Sequence, residues 1–223
     1  MDGADGADGA GAGEAECKAL VRRGYDVLGA RYDEVFGSET KYGAWLGVLR
    51  ERLRGRADEV LDLGCGGGVP VARELVAAGH RVVGVDISGE QVRRARRRVP
   101  NRRARFVRAD AVELGFAPGS FDAVVCLYAL IHIPVAEQPG LLGRIASWLR
   151  PGGLLVATTG SVALTGTDPD WLGGGVPMWW SQAGAADYRG WLEASGMCVE
   201  DERFVPEGDS GHTLFLAHRP DRG

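Results

Sequence analysis

Two aspartates, Asp62 and Asp86, are the residues of this chain best placed to bind a ligand. Each lies close to the end of a short apolar run, residues 60–63 and 81–85, and the first run leads directly into a glycine-rich stretch. A carboxylate about 20 residues beyond such a stretch is placed to accept hydrogen bonds from a ribose. A carboxylate inside the turn itself would repel a phosphate and attract a cationic amine. Together the two acids indicate a ligand that has both a ribose and a positive charge.

The residues around the glycines read as strand, glycine turn and helix, the first unit of a nucleotide-binding α/β sheet. Pro70 follows the glycines, and proline is tolerated in the first turn of a helix because an N–H would be unpaired there. A dinucleotide site requires G-x-G-x-x-G. Gly64 and Gly66 fit this pattern, but Val69 occupies the third position. A nicotinamide-dependent oxidoreductase is therefore the weaker interpretation.

Residues 60–68, VLDLGCGGG, resemble the first motif of class I (Rossmann-like) S-adenosylmethionine-dependent methyltransferases of the bacterial small-molecule type. A second similarity is the break at residues 150–153, RPGG, before the apolar run 154–159. The resemblance extends over residues 25–219. It implies S-adenosyl-L-methionine as cofactor, S-adenosyl-L-homocysteine as product and no metal. It says little about the methyl acceptor.

The resemblance also implies which residues contact the cofactor. Asp86 would hold the ribose, Asp110 would meet the adenine amino group, and the N–H of Ala111 would meet a ring nitrogen. A purely structural alternative for Asp110 is the N-cap of a short turn. The complete set of expected cofactor contacts is Tyr25, Tyr32, Asp62, Gly64, Cys65, Gly66, Asp86, Ile87, Asp110, Ala111, Cys126 and Leu127.

The acceptor is expected beside residues 126–134, a segment similar to the one around the reacting methyl group in the family. His132 is the candidate catalytic base, because a histidine titrates close to neutral pH and can take a proton from a hydroxyl or an amine. Its alternative role is structural, as a helix-start histidine bonded to a neighbouring backbone group. The tryptophans of residues 160–185 could line the acceptor site or cover the sheet edge, and we favour the acceptor site. The expected substrate-binding residues are Tyr128, His132, Trp171, Trp179 and Trp180.

The apolar runs and helical patterns, together with the resemblance, predict an α/β fold of three layers. We expect a doubly wound, seven-stranded, mostly parallel sheet whose last strand is antiparallel, with an N-terminal helical lid. The expected strands are residues 60–63, 81–85, 104–107, 123–127, 154–159, 197–205 and 212–217. The expected divisions are a disordered tail at residues 1–13 and a single domain at residues 14–223, with a lid at 14–55 and a substrate cap loop at 160–185.

Composition favours a globular protein without a membrane or nucleic-acid partner. The 223 residues are 45% hydrophobic and 25% charged, and a net charge of −4 gives no attraction to nucleic acid or anionic lipid. No apolar run approaches the length of a membrane span, and the four scattered cysteines are typical of a reduced, cytoplasmic protein. The arginine-rich residues 92–108 could bind nucleic acid, but a solvated outer helix explains them better.

We therefore expect a methyltransferase that moves a methyl group from S-adenosyl-L-methionine to an oxygen or nitrogen of a small molecule. Three alternatives stay open: an RNA or protein methyltransferase, a non-catalytic module that only binds the cofactor, and the nicotinamide-dependent oxidoreductase. The oligomeric state is left open as well.

Overall fold

The computed structural model describes residues 7–36, 41–53, 55 and 57–221, and nine strands lie within them. In chain order these are β1 (Glu59–Leu63), β2 (Arg81–Asp86), β3 (Ala104–Arg108), β4 (Phe121–Cys126), β5 (Leu149–Gly160), β6 (Leu164–Asp168), β7 (Met178–Gln182), β8 (Cys198–Glu207) and β9 (Ser210–His218). Seven of them form one sheet in the order β3-β2-β1-β4-β5-β9-β8, while β6 and β7 pair separately as an antiparallel hairpin.

The first five strands of the large sheet run parallel, and β9 runs antiparallel to both of its neighbours, β5 and β8. The predicted seven-stranded, mostly parallel sheet with an antiparallel last strand is therefore confirmed. The strand order reverses between β1 and β4, and ligands of such sheets bind outside the carboxyl ends of the strands at this switch point. The fold thus places the candidate site at that edge.

Helices cover both faces of the large sheet. Those of the described residues are α1 (Ala7–Phe36), α2 (Lys41–Arg52), α3 (Val71–Ala77), α4 (Gly89–Arg98), α5 (Gln138–Trp148) and α6 (Ala185–Ala194). One apolar core, which includes Trp148, lies on the side of α5 and α6. The other, which includes Leu49 and Leu75, lies on the side of α2, α3 and α4. Successive residues of β4, Val124 and Val125, belong to different cores, as expected for a strand buried on both faces.

The long helix α1 packs on α4 and on the hairpin β6–β7. Its Val21 and Leu28 form a small third core with Met178 and Trp179 of β7. Within the described residues, no helix, α1 included, is both long and apolar enough to cross a membrane. Because α1 begins at Ala7, residues 7–13 of the expected disordered tail are helical, and residues 1–6 lie outside the described residues.

Residues 161–185 differ from the expected loop, because many of them form the hairpin β6–β7 and a short 3-10 turn, Trp171–Gly173. β6 is exposed along nearly its whole length, so its sequence lacks the alternation that marks a strand. Its partner β7 is buried through Met178 and Trp179, which pack against α1. A tertiary contact rather than the local pattern decides this element.

Replacement of Leu28 by alanine tests the packing of α1. Leu28 is 2% exposed, so we expect Leu28→Ala to lower the free energy of unfolding by about 2–5 kcal/mol, through lost burial and the cavity left behind. Thermal unfolding would show this as a fall in Tm of roughly 2–4 °C per kcal/mol. The matched control is Val27→Ala, because Val27 is 60% exposed on the same helix, and its effect should stay within about 0.5 kcal/mol. Equal Tm values for the two variants would show that α1 does not pack in this way.

Candidate functional site

The candidate site begins at the glycine turn between β1 and α3. Gly64 has a φ of +72°, and a Cβ atom there would lie 2.3 Å from the Cβ of Ala129, so only glycine fits without strain. The N–H groups of Gly64 and Cys65 donate to the carbonyl of Val85 in β2, at 2.8 and 2.9 Å. The turn is thereby fixed against the carboxyl end of the neighbouring strand.

Asp86, at the end of β2, is held in place by backbone N–H groups. Its Oδ2 accepts from the N–H of Gly66 at 2.9 Å, and its Oδ1 accepts from the N–H of Ser88 at 2.9 Å. Burial raises the pKa of Asp86 to about 6 even though both hydrogen bonds oppose the shift, and the nearby carboxylate of Asp26 adds to the rise. The carboxyl group is therefore fixed in orientation beside the glycine turn.

Asp62, in β1, is a carboxyl group that the described protein leaves incompletely paired. It is 2% exposed, and its Oδ2 atom has no hydrogen-bond partner among the described residues. Burial, and then the negative charge of Asp86, raise the pKa of Asp62 to about 8. A buried acid of this kind is stabilised in its ionised form by a cationic group placed next to it.

The main cleft lies at the carboxyl edge of the sheet and has a volume of about 120 Å³. Most of the expected cofactor residues line it: Tyr25, Tyr32, Gly64, Gly66, Asp86, Ile87, Asp110, Ala111 and Leu127. Asp62 and Cys65 line an adjoining cavity of about 70 Å³ that shares Gly64 and Gly66 with the cleft. Cys126 lines neither space, because its side chain is 1% exposed and packs in the core beside α5.

Lys18 of α1 lies at the Asp110 end of the cleft and is a residue that sequence reasoning missed. Its Nζ is 3.0 Å from Oδ2 of Asp110 and 2.6 Å from Oε2 of Glu137. Burial works against the charge of Lys18, but the hydrogen bonds and charges of the two acids outweigh burial and raise its pKa. Asp110 also N-caps a short turn by accepting from the N–H of Val112 at 3.0 Å. Asp110 therefore has a structural role in addition to lining the cleft.

His132 lies in the 3-10 turn after β4 and is hydrogen-bonded through both ring nitrogens. Nδ1 is 2.8 Å from the carbonyl oxygen of Trp179, and Nε2 is 2.9 Å from the hydroxyl oxygen of Tyr25. Because a carbonyl oxygen only accepts, Nδ1 carries the proton, and Nε2 accepts from the Tyr25 hydroxyl. Burial lowers the pKa of His132 to about 4; the hydrogen bond to Trp179 opposes the shift and the charge of His212 adds to it. The ring is therefore neutral at pH 7.

A second cavity, which we name the aromatic chamber, adjoins the main cleft and has a volume of about 230 Å³. It is lined by Tyr25, Tyr32, Phe36, Tyr42, Tyr128, Ile131, His132, Trp171, Trp180, Glu207 and His212. Four of these residues, the first two tyrosines together with Tyr128 and His132, also line the cleft. Trp179, expected among the substrate residues, does not line the chamber, because its side chain packs in the small core under α1.

Glu207 and His212, beside the turn that joins β8 and β9, are further residues that sequence reasoning missed. The signal that locates them is strand pairing, because the antiparallel register of β9 on β5 sets His212 opposite Gly160 at the carboxyl end of β5. The hairpin β8–β9 therefore reaches the same edge of the sheet as the glycine turn.

Four of the nine arginines in residues 92–108 form ion pairs within the protein. Arg94 and Arg98 of α4 both form ion pairs with Asp33 of α1. Arg93 and Arg97 both pair with Glu90, at the start of α4 itself. These contacts give much of the arginine run a structural role, in agreement with the interpretation as an outer helix.

Comparison with known sequences identifies the segment that carries this site. Residues 60–153 match the family model described as a methyltransferase domain. A curated relative, the 27-O-demethylrifamycin SV methyltransferase of Amycolatopsis mediterranei, is 34% identical over 154 residues, which cover 60% of this chain and 56% of that protein. The chain spans about half the length of the curated relatives it matches. The predicted family resemblance is confirmed over this segment.

Comparison with solved structures shows the same fold over nearly the whole chain. The 1,6-didemethyltoxoflavin-N1-methyltransferase of Burkholderia thailandensis has a TM-score of 0.72 at 22% identity, with 99% of this chain and 94% of that chain covered. A protein described as a [4+2]-cyclase has a TM-score of 0.71 at 20% identity, with 92% and 97% covered. Identities this low establish the fold alone, and proteins of different activity share it. The function has to be argued from the site.

Proposed function

We propose that this chain, which carries the core of a class I S-adenosylmethionine-dependent methyltransferase, moves a methyl group from S-adenosylmethionine to an oxygen or nitrogen of a small molecule. The observation that carries the proposal is Asp62, a buried acid with an unpaired oxygen at the glycine turn. A carboxylate there would repel a phosphate-bearing dinucleotide, whereas it would pair with the α-ammonium group of S-adenosylmethionine. The same argument disfavours the nicotinamide-dependent oxidoreductase.

The residues around the main cleft fit the chemical groups of S-adenosylmethionine. Asp86 would accept hydrogen bonds from the ribose hydroxyls, Asp62 would face the ammonium group, and Asp110 with the N–H of Ala111 would hold the adenine. When bound, this cofactor supplies a methyl group activated by its positive sulfonium. The methyltransferase of B. thailandensis is described with S-adenosylhomocysteine bound, which supports the same product here. Among the described residues, no group of three or more His, Cys, Asp or Glu side chains could hold a metal ion.

The part of the site expected to bind the methyl acceptor favours a small molecule. The lining of the aromatic chamber, mostly aromatic side chains with a few polar groups, is of the kind found in small-molecule sites. Two similar proteins are named for small molecules, one for a demethylated rifamycin and one for a demethylated toxoflavin. The arginine run is the feature that favoured RNA, and four of its nine arginines pair with acids of the same chain. We also propose a cytoplasmic location, since all four cysteines are free thiols.

In the proposed reaction α1 acts as a lid, and His132 takes the proton that the acceptor loses. Much of the rate enhancement of such a transfer can come from aligning donor and acceptor. The carbonyl of Trp179 fixes the tautomer of His132, so that the lone pair lies on Nε2. The hydroxyl of Tyr25 now donates to this lone pair, and an acceptor hydroxyl would replace it there. The acceptor oxygen keeps the electron pair of its O–H bond, and the proton moves to Nε2.

Replacement of Asp86 tests the ribose contact. Asp86→Ala removes charge-assisted hydrogen bonds and should reduce the affinity for S-adenosylhomocysteine by about 1.5–3 kcal/mol, which is about tenfold or more in Kd. Titration calorimetry measures this directly. Asp209→Ala, at an exposed position of the β8–β9 turn, is the control and should bind as the wild type does. Unchanged affinity of the Asp86 variant would remove Asp86 from the cofactor site.

The pH dependence of binding tests Asp62. With a pKa of about 8 in the free protein, Asp62 is protonated at pH 6.5 and has to lose its proton before it can pair with an ammonium group. Affinity for S-adenosylhomocysteine should therefore rise with pH, by up to about tenfold per unit between pH 6.5 and 8. Asp62→Asn should remove most of this rise. 5′-Methylthioadenosine is the matched control ligand, because it keeps the nucleoside and lacks the ammonium group. Equal slopes for the two ligands would contradict the pairing.

Replacement of His132 tests the proposed base. His132→Ala should leave the affinity for S-adenosylhomocysteine within about twofold but lower kcat by 10²–10⁴, the usual contribution of general acid–base catalysis. Because the protonated ring cannot accept a proton, the wild-type kcat should fall as the pH drops towards the pKa of about 4, and the variant should lose this dependence. Tyr25→Phe removes only the hydroxyl that donates to Nε2 of His132, and this variant should retain the pH dependence. A variant of His132 with near-normal kcat and an unchanged pH profile would leave catalysis to alignment alone.

A further inference from the structure

Gln138, the first residue of α5, is a fully buried polar side chain behind the candidate site. It is 0% exposed and borders neither the main cleft nor the aromatic chamber. Its Nε2 lies 2.9 Å from the carbonyl oxygen of Leu130, 2.7 Å from that of Ile133 and 2.8 Å from that of Ser181. A paired polar network in the interior makes the segments that it joins rigid. The partners of Gln138 therefore show which segments it fixes.

The orientation of the Gln138 amide is set by its partners. Because carbonyl oxygens only accept, the NH₂ end faces the three carbonyls, and its two N–H groups are shared among them. At the other end, Oε1 accepts from the hydroxyl of Tyr188 in α6 at 2.6 Å. Burial raises the pKa of Tyr188 to about 12 although its hydrogen bonds oppose the shift, so the hydroxyl is protonated at pH 7 and donates. Tyr188 thus keeps the amide from turning over.

The three carbonyls belong to two segments that meet at His132. Leu130 and Ile133 lie on either side of His132 in the turn after β4, whereas Ser181 is in β7. A second hydrogen bond joins the same segments, because the hydroxyl oxygen of Ser181 accepts from the N–H of Val135 at 3.0 Å. Gln138 therefore fastens β7 to the turn that carries His132.

The docking of β7 also places the carbonyl group of Trp179. A strand repeats every two residues, so the carbonyls of Trp179 and Ser181 point in the same direction, towards the turn. The carbonyl oxygen of Trp179 lies 2.8 Å from Nδ1 of His132. The contact of Gln138 with Ser181 thus holds in place the neighbouring contact of Trp179 with His132.

The Trp179 carbonyl decides which nitrogen of His132 carries the proton. A carbonyl accepts only, so it selects the form with the proton on Nδ1. The hydroxyl of Tyr25, 2.9 Å from Nε2, can donate or accept and does not select between the two forms. Only the Nδ1–H form leaves the lone pair of Nε2 available to take a proton. The position of β7 therefore controls whether the ring is ready to act as a base.

We propose that Gln138 is a positioning residue for methyl transfer: it joins β7 to the His132 turn and so keeps the Trp179 carbonyl on Nδ1 and the lone pair on Nε2. This inference rests on the proposed function, in which Nε2 of His132 takes the proton of the acceptor. Tyr188 acts one step further out, because its hydroxyl orients the amide of Gln138. Neither residue borders the cleft or the chamber, so both act through His132.

The tautomer of His132 provides the test, measured by ¹⁵N NMR of the histidine rings in the full-length protein without ligand. At pH 7 the ring is neutral, and the shift of each nitrogen shows whether it carries the proton. The ring signals that are absent from His132→Ala are those of His132. We expect Nδ1–H in the wild type. Gln138→Met keeps a similar length and removes the amide, so the ratio of the Nδ1–H to the Nε2–H form should fall about three- to tenfold, the equivalent of one net hydrogen bond.

Two further variants separate positioning from stability. Tyr188→Phe removes only the hydroxyl that orients the amide and should shift the ratio in the same direction by a smaller factor. Leu75→Ala is the matched control for lost stability, because Leu75 is 0% exposed in the core on the other face of the sheet. It should lower Tm and leave the tautomer unchanged. Gln138→Met and Tyr188→Phe should bind S-adenosylhomocysteine within about twofold of the wild type, because neither residue borders the cleft.

Each outcome bears on a separate claim. A proton on Nε2 in the wild type, or an unchanged ratio in Gln138→Met, would overturn the role of Gln138. An equal shift in Leu75→Ala would overturn it as well, because lost stability would then account for the change. If Gln138→Met fails to fold, Tyr188→Phe decides, and an unchanged ratio there counts against the proposal. Failure of the wild type to bind S-adenosylhomocysteine would contradict the proposed function itself, whatever the tautomer.

Discussion

The burial of two carboxyl groups, Asp62 and Asp86, at one turn is the constraint from which the site is built. Burial raises the pKa of both acids; the charge of Asp86 raises that of Asp62 further, and the charge of Asp26 raises that of Asp86. Two backbone N–H groups, those of Gly66 and Ser88, donate hydrogen bonds that stabilise the negative charge of Asp86. The N–H of Gly66 can do so because the glycine turn folds back onto the end of β2. In the proposed function, a cationic ligand would pair with the unpaired oxygen of Asp62, so its binding would also stabilise the turn.

The helix α1 connects this turn to the rest of the site. Among its described side chains, five make polar contacts with other parts of the chain; they are Lys18, Tyr25, Asp26, Arg31 and Asp33. Ion pairs of partly exposed side chains contribute little stability individually, whereas the buried Val21 and Leu28 contribute more. We therefore expect apolar packing to hold α1 in place and the polar contacts to set its orientation. Such a helix can form one wall of both cavities.

In the proposed function, the two cavities would separate the cofactor chemistry from acceptor recognition. The main cleft is bordered by acids and backbone groups from the ends of β1, β2 and β3, where the sheet order reverses. The aromatic chamber receives its polar residues from the turn after β4 and from the β8–β9 hairpin. The shared residues Tyr25, Tyr32, Tyr128 and His132 lie where the two spaces meet, which is where a methyl group would pass in the proposed reaction. Acceptor specificity can therefore change without disturbance of the glycine turn.

The sequence by itself determined the elements whose signals are local: the apolar strands, the glycine turn with Asp62, and Asp86 at the end of β2. Buried parallel strands show continuous apolar runs, and a glycine-rich turn is visible in any sequence, so the sheet and its ligand-facing edge followed from the chain alone.

The tertiary structure decided which side of a strand or turn each side chain occupies. Leu127 lines the cleft while its neighbour Cys126 is in the core, and Trp180 lines the chamber while Trp179 packs under α1. Contacts between segments far apart in sequence, such as β7 with α1, decide these side-chain orientations. Such contacts also bring into the site residues that no local sequence pattern marks. Lys18 met Asp110, and Glu207 with His212 met Tyr128, only because α1 and the β8–β9 hairpin fold back onto the same edge of the sheet.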